Sequence, residues 1–268
     1  MTQPAPYRLV ARNDALASEN KIQDDNVARF YGFAGGLVPG VTVFAYMTHP
    51  VVDHFGPAWL EWGAMRARFL APVYDGEEIT VEAEHGGNGN GPLRLSIADR
   101  AEGEATLAPA DPPHLAAYPV AAMPDHAARP APTAETLAPG TVLGTLVAHY
   151  WADRAPDYLD LIDDHVHLYR GDGAVAHPGW LLRFANYALS ENVRLGPWIH
   201  VESAVQNFRD VHDGDEVSAR ARVADRFERK GHQLVTLDVL LLVDGEHPAM
   251  HVRHTAIYKP RKKEPASA

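Results

Sequence analysis

Two stretches of the chain are apolar on almost every side, and both are flanked by residues that start and stop helices. Residues 41–47 and 180–189 lack a continuous polar stripe, which is typical of a helix buried on most of its surface. A Pro-Gly pair precedes each stretch, and a Gly-Pro pair, Gly56-Pro57 or Gly196-Pro197, follows it and ends the helix. The pattern therefore predicts two buried central helices.

Segments with strand periodicity follow both predicted helices. A strand is predicted to begin at a tryptophan after each Gly-Pro pair, at Trp59 and at Trp198. Apolar and polar residues then alternate strictly over residues 79–84 and 217–223, as in a half-buried strand. Two further strands, residues 233–243 and 251–258, are predicted on either side of an Asp-Gly turn. One buried helix followed by an antiparallel sheet, found twice, predicts an α+β fold.

The two parts of the chain repeat each other. The segment from Asp24 to Gly40 aligns without a gap on the segment from Asp163 to Gly179, an offset of 139 residues between residue 24 and residue 163. Trp59 and Phe69 fall on tryptophan and phenylalanine at the same offset. Several matches in one order and spacing indicate an internal duplication.

A segment rich in proline and alanine separates the repeats. Residues 108–140 have no helical or strand period, and their prolines block both structures, so we expect an extended linker. The predicted units are an N-terminal domain (residues 1–107), this linker, a C-terminal domain (residues 141–260) and a polar tail (residues 261–268).

Composition narrows the classes of function. The 268 residues carry a formal charge of −11, which disfavours nucleic acid as a partner because phosphate binding needs clustered lysine and arginine. There is no cysteine, so disulfides, thiolate metal sites and cysteine nucleophiles are excluded. Residues 1–12 lack the pattern of a signal peptide, and no apolar run is long enough to span a bilayer. We expect a soluble, cytoplasmic protein without a cofactor or metal.

The first repeat contains short motifs of a known family. Residues 20–40 and Phe69-Leu70-Ala71-Pro72-Val73 resemble the hydratase segment and the Phe-x-x-Pro-Val strand of MaoC-like dehydratases and (R)-specific enoyl-CoA hydratases. Together with the repeat, the resemblance covers most of the chain outside the linker and tail. It implies two fused hotdog domains, each an antiparallel sheet wrapped around a central buried helix. It also implies an acyl-CoA or acyl-carrier thioester as substrate.

The catalytic pair of that family is missing at the matching positions. Its histidine falls on Gln23 in the first repeat and on Ile162 in the second, and its aspartate falls near Ala17 or Ser18. Glutamine does not titrate, so Gln23 cannot act as a general base, although it can still contact a substrate.

The helix starts of the family are retained in both repeats. In hotdog enzymes the thioester carbonyl lies at the start of the central helix, where backbone amides have no partner within the helix. The resemblance places these amides at two positions in each repeat: Gly40 and Val41, and Gly179 and Trp180.

Four residues are candidates for acid–base chemistry, and each has a structural alternative. Asp25 and Asp164 are potential general bases, but aspartate is also favoured at helix N-termini. His165 and His177 are potential acids or bases near neutral pH, but either could equally be a hydrogen-bonded structural residue. His177 precedes the second helix at a position that matches the family's His-Gly.

Polar residues on the second central helix are candidates for binding substrate. Asn186 and Tyr187 interrupt an apolar run, and buried polar groups need partners, so they orient a ligand or satisfy a neighbouring strand. His200 and Glu202 follow on a predicted strand, where most such residues face solvent.

The sequence leads to one main hypothesis and two alternatives. The main hypothesis is a lyase of the hydratase/dehydratase type that acts on a 2-enoyl or 3-hydroxyacyl thioester, with its site in the second repeat. The alternatives are a hotdog acyl-CoA thioesterase, in which a carboxylate acts on water, and an acyl-CoA-binding protein without activity. Fused hotdog halves already imitate the usual dimer, so a monomer and a homodimer are both compatible with the sequence.

Overall fold

The structure, a computed structural model, describes residues 4–15, 18–86 and 91–261. Residues 262–268, which form most of the predicted polar tail, and Ala17 lie outside the described residues. The described part of the chain contains five α-helices: α1 (Asp25–Phe30), α2 (Gly40–Phe55), α3 (Ala58–Trp62), α4 (Ala155–Leu161) and α5 (Pro178–Ser190). No helix among the described residues is long and apolar enough to cross a membrane.

The strands form two groups of five, one from each repeat. The first group is β1 (Tyr7–Val10), β2 (Gly63–Phe69), β3 (Glu78–His85), β4 (Leu93–Ile97) and β5 (Ala101–Leu107). The second is β6 (Leu146–His149), β7 (Ile199–Asn207), β8 (Glu216–Arg229), β9 (His232–Val243) and β10 (His247–Lys259). The strands of the first repeat end at Leu107 and those of the second begin at Leu146, on either side of residues 108–140.

All these strands belong to one antiparallel sheet. Its order is β1-β3-β4-β5-β2-β7-β10-β9-β8-β6, so the two halves have the same internal order and meet in the middle. The central pair is β2 with β7, in which Ala64 lies opposite Gln206 and Arg68 opposite Glu202. The backbone hydrogen bonds of this pair join the repeats into one sheet.

The two long helices α2 and α5 pack on one face of the sheet and against each other. Residues 41–48 of α2 are all buried, which agrees with the missing polar stripe. The helices approach closely at Gly179, where an added Cβ atom would lie 2.5 Å from the Cβ of Ala45. The predicted start of a strand at Trp59 is wrong, because Trp59 lies in α3 and β2 begins at Gly63. Trp198 does directly precede β7.

Within residues 108–140, the part around Tyr118 packs against β9 of the second half. Short 3-10 turns interrupt this segment at Leu115–Ala117 and His126–Ala128. Tyr118 covers Leu240 and Leu242, which explains why β9 is buried along nearly its whole length. The Tyr118 hydroxyl donates to Asp238 Oδ1 at 2.7 Å, and Arg222 binds the other oxygen of that carboxylate at 2.9 Å. The segment is therefore part of the folded structure.

We expect the Tyr118→Phe variant to lower the free energy of unfolding by about 1.5–3 kcal/mol, because it removes a hydrogen bond to a buried charged group. Urea denaturation followed by circular dichroism measures this difference. Tyr187→Phe is the control, since its side chain is about half exposed and has no such partner among the described residues. A change below about 0.5 kcal/mol for Tyr118→Phe would contradict the interpretation.

Candidate active site

The start of α2 has two backbone amides without a protein acceptor. Thr42 and Val43 donate their N–H groups to the carbonyl of Pro39, at 2.9 and 3.0 Å. Pro39 supplies no side-chain cap, and the amides of Gly40 and Val41 donate to no other group in the described part of the chain. Such a helix terminus attracts a ligand oxygen that carries partial negative charge.

Two adjoining cavities open at this helix start. One, of about 360 Å³, has mixed polar and apolar walls; the other, of about 260 Å³, is mainly apolar. The residues common to both are Asn20, Gln23, Pro39, Asn186 and Trp198. Gly40 lines the apolar cavity, together with Phe33, Leu37, Phe69 and Ile199 among others. A ligand bound at the start of α2 would therefore have an apolar space on one side and a polar one on the other.

Asn20 and Gln23 form the wall between the cavities. The Asn20 side chain donates to the carbonyl of Trp198 at 2.9 Å and accepts from its N–H at 3.1 Å, which ties the first repeat to the second. Gln23, at the position of the family's histidine, is buried. With its amide nitrogen turned inward it donates to the carbonyls of Ala15 and Asn20, both at 3.1 Å. Gln23 therefore shapes the cavity, and it has no proton to exchange at neutral pH.

His200 brings an imidazole to the same place from β7. It lines the apolar cavity, and an added Cβ atom on Gly40 would lie 2.7 Å from its Nδ1 atom. Among the described residues, this buried Nδ1 atom has no hydrogen-bond partner. Its Nε2 atom lies 2.8 Å from Ser203 Oγ, which lies 3.0 Å from Nδ1 of His254. A buried imidazole with one free nitrogen thus lies beside the start of α2.

Burial keeps both of these histidines neutral at physiological pH. Burial, with a smaller effect of the neighbouring His254, holds the pKa of His200 well below its usual range. Burial lowers the pKa of His254 to about 3. A neutral imidazole retains one nitrogen lone pair, so His200 can accept a proton.

Sequence periodicity does not place His200 and Ser203 together. Strict alternation along β7 would put residues 200 and 203 on opposite faces of the sheet. The register against β10 shifts, however: Glu202 pairs with Thr255 and His200 with Ala256, which leaves Val201 as an extra residue. This β-bulge turns both side chains inward. Glu202 instead forms ion pairs with Arg66 and Arg68.

The start of α5 differs, because its own sequence caps it. His177 is the N-cap residue, and its Nδ1 atom accepts the N–H of Gly179 at 2.9 Å. The Trp180 amide donates to the His177 carbonyl at 2.9 Å. The amides predicted at Gly179 and Trp180 therefore already have acceptors. Since Nδ1 accepts, the proton of the neutral His177 ring is on Nε2, and neither nitrogen is available as a base.

Asp164 holds the other side of His177. One carboxylate oxygen lies 3.1 Å from His177 Nε2; the other lies 3.1 Å from His49 Nδ1 and accepts the N–H of Val166 at 2.9 Å. Burial opposes the charged form, but the hydrogen bonds from His177 and His49 outweigh it and hold the pKa of Asp164 well below its usual range. Asp164 is thus a buried anion saturated with donors, and it connects the second repeat to α2.

The other predicted residues are dispersed. Asp25 is exposed, accepts the Gly36 N–H at 2.8 Å and pairs with Arg29, while His165 is exposed and pairs with Asp163. Asn186 lines both cavities, and its Oδ1 atom is buried without a partner. Of these two cavities, Tyr187 lines the polar one. Trp180 lines a separate cavity of about 200 Å³ near His177, and it shares another of about 380 Å³ with Tyr187. Among the described residues, no group of three or more potential ligands could hold a metal ion.

The geometry and the sheet order define a double hotdog fold. Its structural neighbours are MaoC-like dehydratases and other double hotdog proteins. A MaoC domain dehydratase from Chloroflexus aurantiacus is 11% identical, with a TM-score of 0.61 over 97% of this chain and 96% of that one. A conserved hypothetical protein from Mycobacterium tuberculosis, with a double hotdog fold, is 13% identical, with a TM-score of 0.61 over 96% of both chains.

Thioesterases have a similar structure. An oleoyl thioesterase from Lactobacillus plantarum is 13% identical, with a TM-score of 0.55 over 97% of this chain and 99% of that one. In sequence, the chain is 28% identical to the UPF0336 protein of Cutibacterium acnes over 104 residues, 36% of this chain and 73% of that protein. No protein-family model matches the sequence. At sequence identities this low, the similarity to these solved structures establishes the fold alone.

We expect Asp164→Asn to lower the free energy of unfolding by about 3–5 kcal/mol at pH 7, because it leaves donors in a buried cluster without their anion. Since the pKa of Asp164 is lowered in the folded state, its stabilisation is present above pH 4 and lost as the pH falls below that value. The difference in the free energy of unfolding between the wild type and Asp164→Asn should therefore be smaller at pH 3 than at pH 7. Urea titrations at both pH values measure it. The control is Asp25→Asn at the equivalent exposed position, with an expected effect below about 1 kcal/mol.

We expect His254 to make the protein sensitive to mild acid. Its pKa falls from 6.5 to about 3 on folding, so the unfolded chain binds the extra proton between these values and acidification favours unfolding. Lowering the pH from 7.5 to 5.0 should cost about 2 kcal/mol through this group alone. In His254→Gln, which cannot titrate, the acid-induced loss should be smaller by that amount. His165→Gln, at an exposed site, is the control. An equal loss in the wild type and His254→Gln would refute this prediction.

Proposed function

We propose that the protein is an acyl-thioester enzyme of the hydratase/dehydratase type whose site lies at the start of α2. One observation carries the proposal. The Gly40 and Val41 amides, which have no acceptor among the described residues, lie at two adjoining cavities, beside the buried Nδ1 atom of His200. Structural neighbours that include a dehydratase and a thioesterase support the class of substrate.

The two amides suit the thioester carbonyl. As negative charge develops on the carbonyl oxygen, preorganised N–H donors stabilise it, and one such donor is worth roughly 3 kcal/mol in the transition state. The positive end of the helix dipole acts in the same direction. The acyl chain then extends into the apolar cavity, and the carrier arm occupies the polar cavity beside Asn186 and Tyr187.

His200 is the proposed acid–base residue. In hydration, its Nδ1 atom removes a proton from water, the water oxygen bonds to C3 of the enoyl group, and the C2–C3 double bond becomes single. The proton on His200 is then delivered to C2, so that one water is added and the imidazole is regenerated. Dehydration follows the reverse course. The low pKa of His200 favours prompt return of the proton, because a charged imidazole is costly in this buried position.

Binding without turnover is the second candidate function. It is favoured by Gln23, which stands where the family has its catalytic histidine and cannot titrate. Hydrolysis has less support, because the carboxylates closest to the helix start are engaged: Asp14 accepts from Thr42 at 2.8 Å and pairs with Arg183. Asp25 and Asp164, on which the thioesterase hypothesis depended, have structural partners instead.

We expect the purified protein to add water to at least one 2-enoyl-CoA, and His200→Gln to reduce kcat by about 10²–10⁴-fold while binding is retained. Mass spectrometry of a panel of saturated and 2-enoyl thioesters measures the products, and isothermal titration calorimetry measures the affinity. His165→Gln, at an exposed residue that lines neither cavity, is the control and should keep wild-type activity.

Three results would change the proposal. Release of free thiol from saturated thioesters would indicate a thioesterase. Binding by wild type without any product would leave a binding protein. Full activity in His200→Gln would show that another residue moves the proton.

A further inference from the structure

We infer that Ser203 and His254 are positioning residues that orient His200 through one chain of hydrogen bonds, with the proton on Nε2 and the lone pair of Nδ1 facing the start of α2. The inference rests on the proposed role of His200 as the acid–base residue, and neither Ser203 nor His254 lines the cavities.

The hydrogen bonds of Ser203 depend on how many protons the hydroxyl and the two imidazole rings carry. Ser203 Oγ lies between two imidazole nitrogens, 2.8 Å from His200 Nε2 and 3.0 Å from His254 Nδ1. A hydroxyl has a single proton, and the described residues offer the Ser203 proton no other acceptor, so Ser203 donates to one of these nitrogens and accepts from the other. Both rings are neutral because burial lowers their pKa values, so each ring carries one N–H. The two tautomers are therefore coupled through Ser203.

Only two arrangements satisfy this count. In the first, His200 Nε2–H donates to Ser203, and Ser203 donates to His254 Nδ1, which leaves a lone pair on His200 Nδ1. In the second, all directions reverse, and His200 Nδ1 carries a proton. In both, the outer nitrogens, His200 Nδ1 and His254 Nε2, remain buried without partners, so their burial does not distinguish the arrangements.

The start of α2 selects the first arrangement. His200 Nδ1 is packed against Gly40, the first residue of α2. The N-terminus of a helix carries a partial positive charge, which attracts a lone pair and repels an N–H group. The dipole therefore places the lone pair on the nitrogen of His200 nearest the proposed carbonyl site.

This arrangement also assists the chemistry. When Nδ1 takes a proton, His200 becomes positively charged, and its Nε2–H bond to the oxygen of Ser203 strengthens. Ser203 keeps its own proton on the bond to His254, so no further transfer is needed. Moving the charge on to His254 is disfavoured, because burial lowers the pKa of that ring to about 3.

The test is the tautomer of each ring, measured by long-range ¹H–¹⁵N NMR on the full chain at pH 7.5. We expect the Nε2–H tautomer for both His200 and His254, with the signals assigned by their loss in His200→Gln and His254→Gln. In Ser203→Ala the coupling is lost, so His254, whose hydrogen-bond partner among the described residues is Ser203, should populate both tautomers. The kcat of this variant should fall about tenfold with little change in KM, as expected for the loss of one hydrogen bond. Ser203→Thr, which keeps the hydroxyl, should restore both properties.

Ser218→Ala is the matched control, because Ser218 is also a buried strand serine and its hydroxyl has no hydrogen-bond partner in the described part of the chain. An Nδ1–H tautomer of His200 in the wild type would overturn the inference, as would an unchanged tautomer of His254 in Ser203→Ala. The tautomers of the wild type are measured independently of Ser203→Ala, so only the two variants used for assignment need to fold. If the wild type turns over no thioester, the proposed function fails and the catalytic use of this arrangement fails with it, whereas the spectrum still decides the tautomer.

Discussion

The pairing of β2 with β7 is the constraint on which the rest of the structure depends. Because these strands join the two five-stranded halves in one sheet, each long helix begins against residues of the other repeat. The start of α2 meets His200 of β7, and the cluster at the start of α5 includes His49 of α2. Neither half contains a complete set of these groups. Breaking the pairing of β2 with β7 would separate the amide of Gly40 from the imidazole of His200.

The two helix starts show two ways of satisfying the same electrostatic requirement. Every helix N-terminus offers N–H groups and a partial positive charge. In α5, the lone pair of His177 and the anion of Asp164 behind it supply the acceptor from within the protein. In α2, Val38 occupies the position equivalent to His177, and an apolar side chain cannot cap the helix. Among the described residues, the first helix start thus has no acceptor for its two amides, whereas the second is closed by the protein's own groups.

Much of the fold, but little of the site, could be predicted from the sequence. Apolar runs predicted α2 and α5, and alternation predicted β3, β8, β9 and β10, since these features depend on local periodicity. The repeat and the family resemblance led to the double hotdog fold, which is confirmed. Trp59 was misplaced because a five-residue helix intervenes before β2. The packing of Tyr118 on β9 depends on contacts between residues distant in the chain, which have no local pattern.

The site was harder to predict from the sequence, because the role of each residue depends on the direction of its hydrogen bonds. His177 matched a family position, yet its Nδ1 atom accepts a backbone N–H, and sequence does not record which nitrogen is engaged. The sequence left His200 on a strand where most such residues face solvent, and the bulge at Val201 that brings it beside Ser203 is invisible to alternation. The coupling of His200 to His254 through Ser203, and the contact of its Nδ1 atom with Gly40, depend on two strands and a helix that the fold brings together.

The capping of one helix and not the other has an evolutionary consequence. In a dimer of identical hotdog chains, any substitution appears at both helix starts, so a residue that closes one site closes the other. Fusion of the two copies removed this coupling. The chain could then carry histidine before α5 and valine before α2, and the anion at position 164 could be buried while its counterpart, Asp25, lay at the surface. In the duplicated chain, one copy could in this way stabilise the fold while the other remained free to change its chemistry.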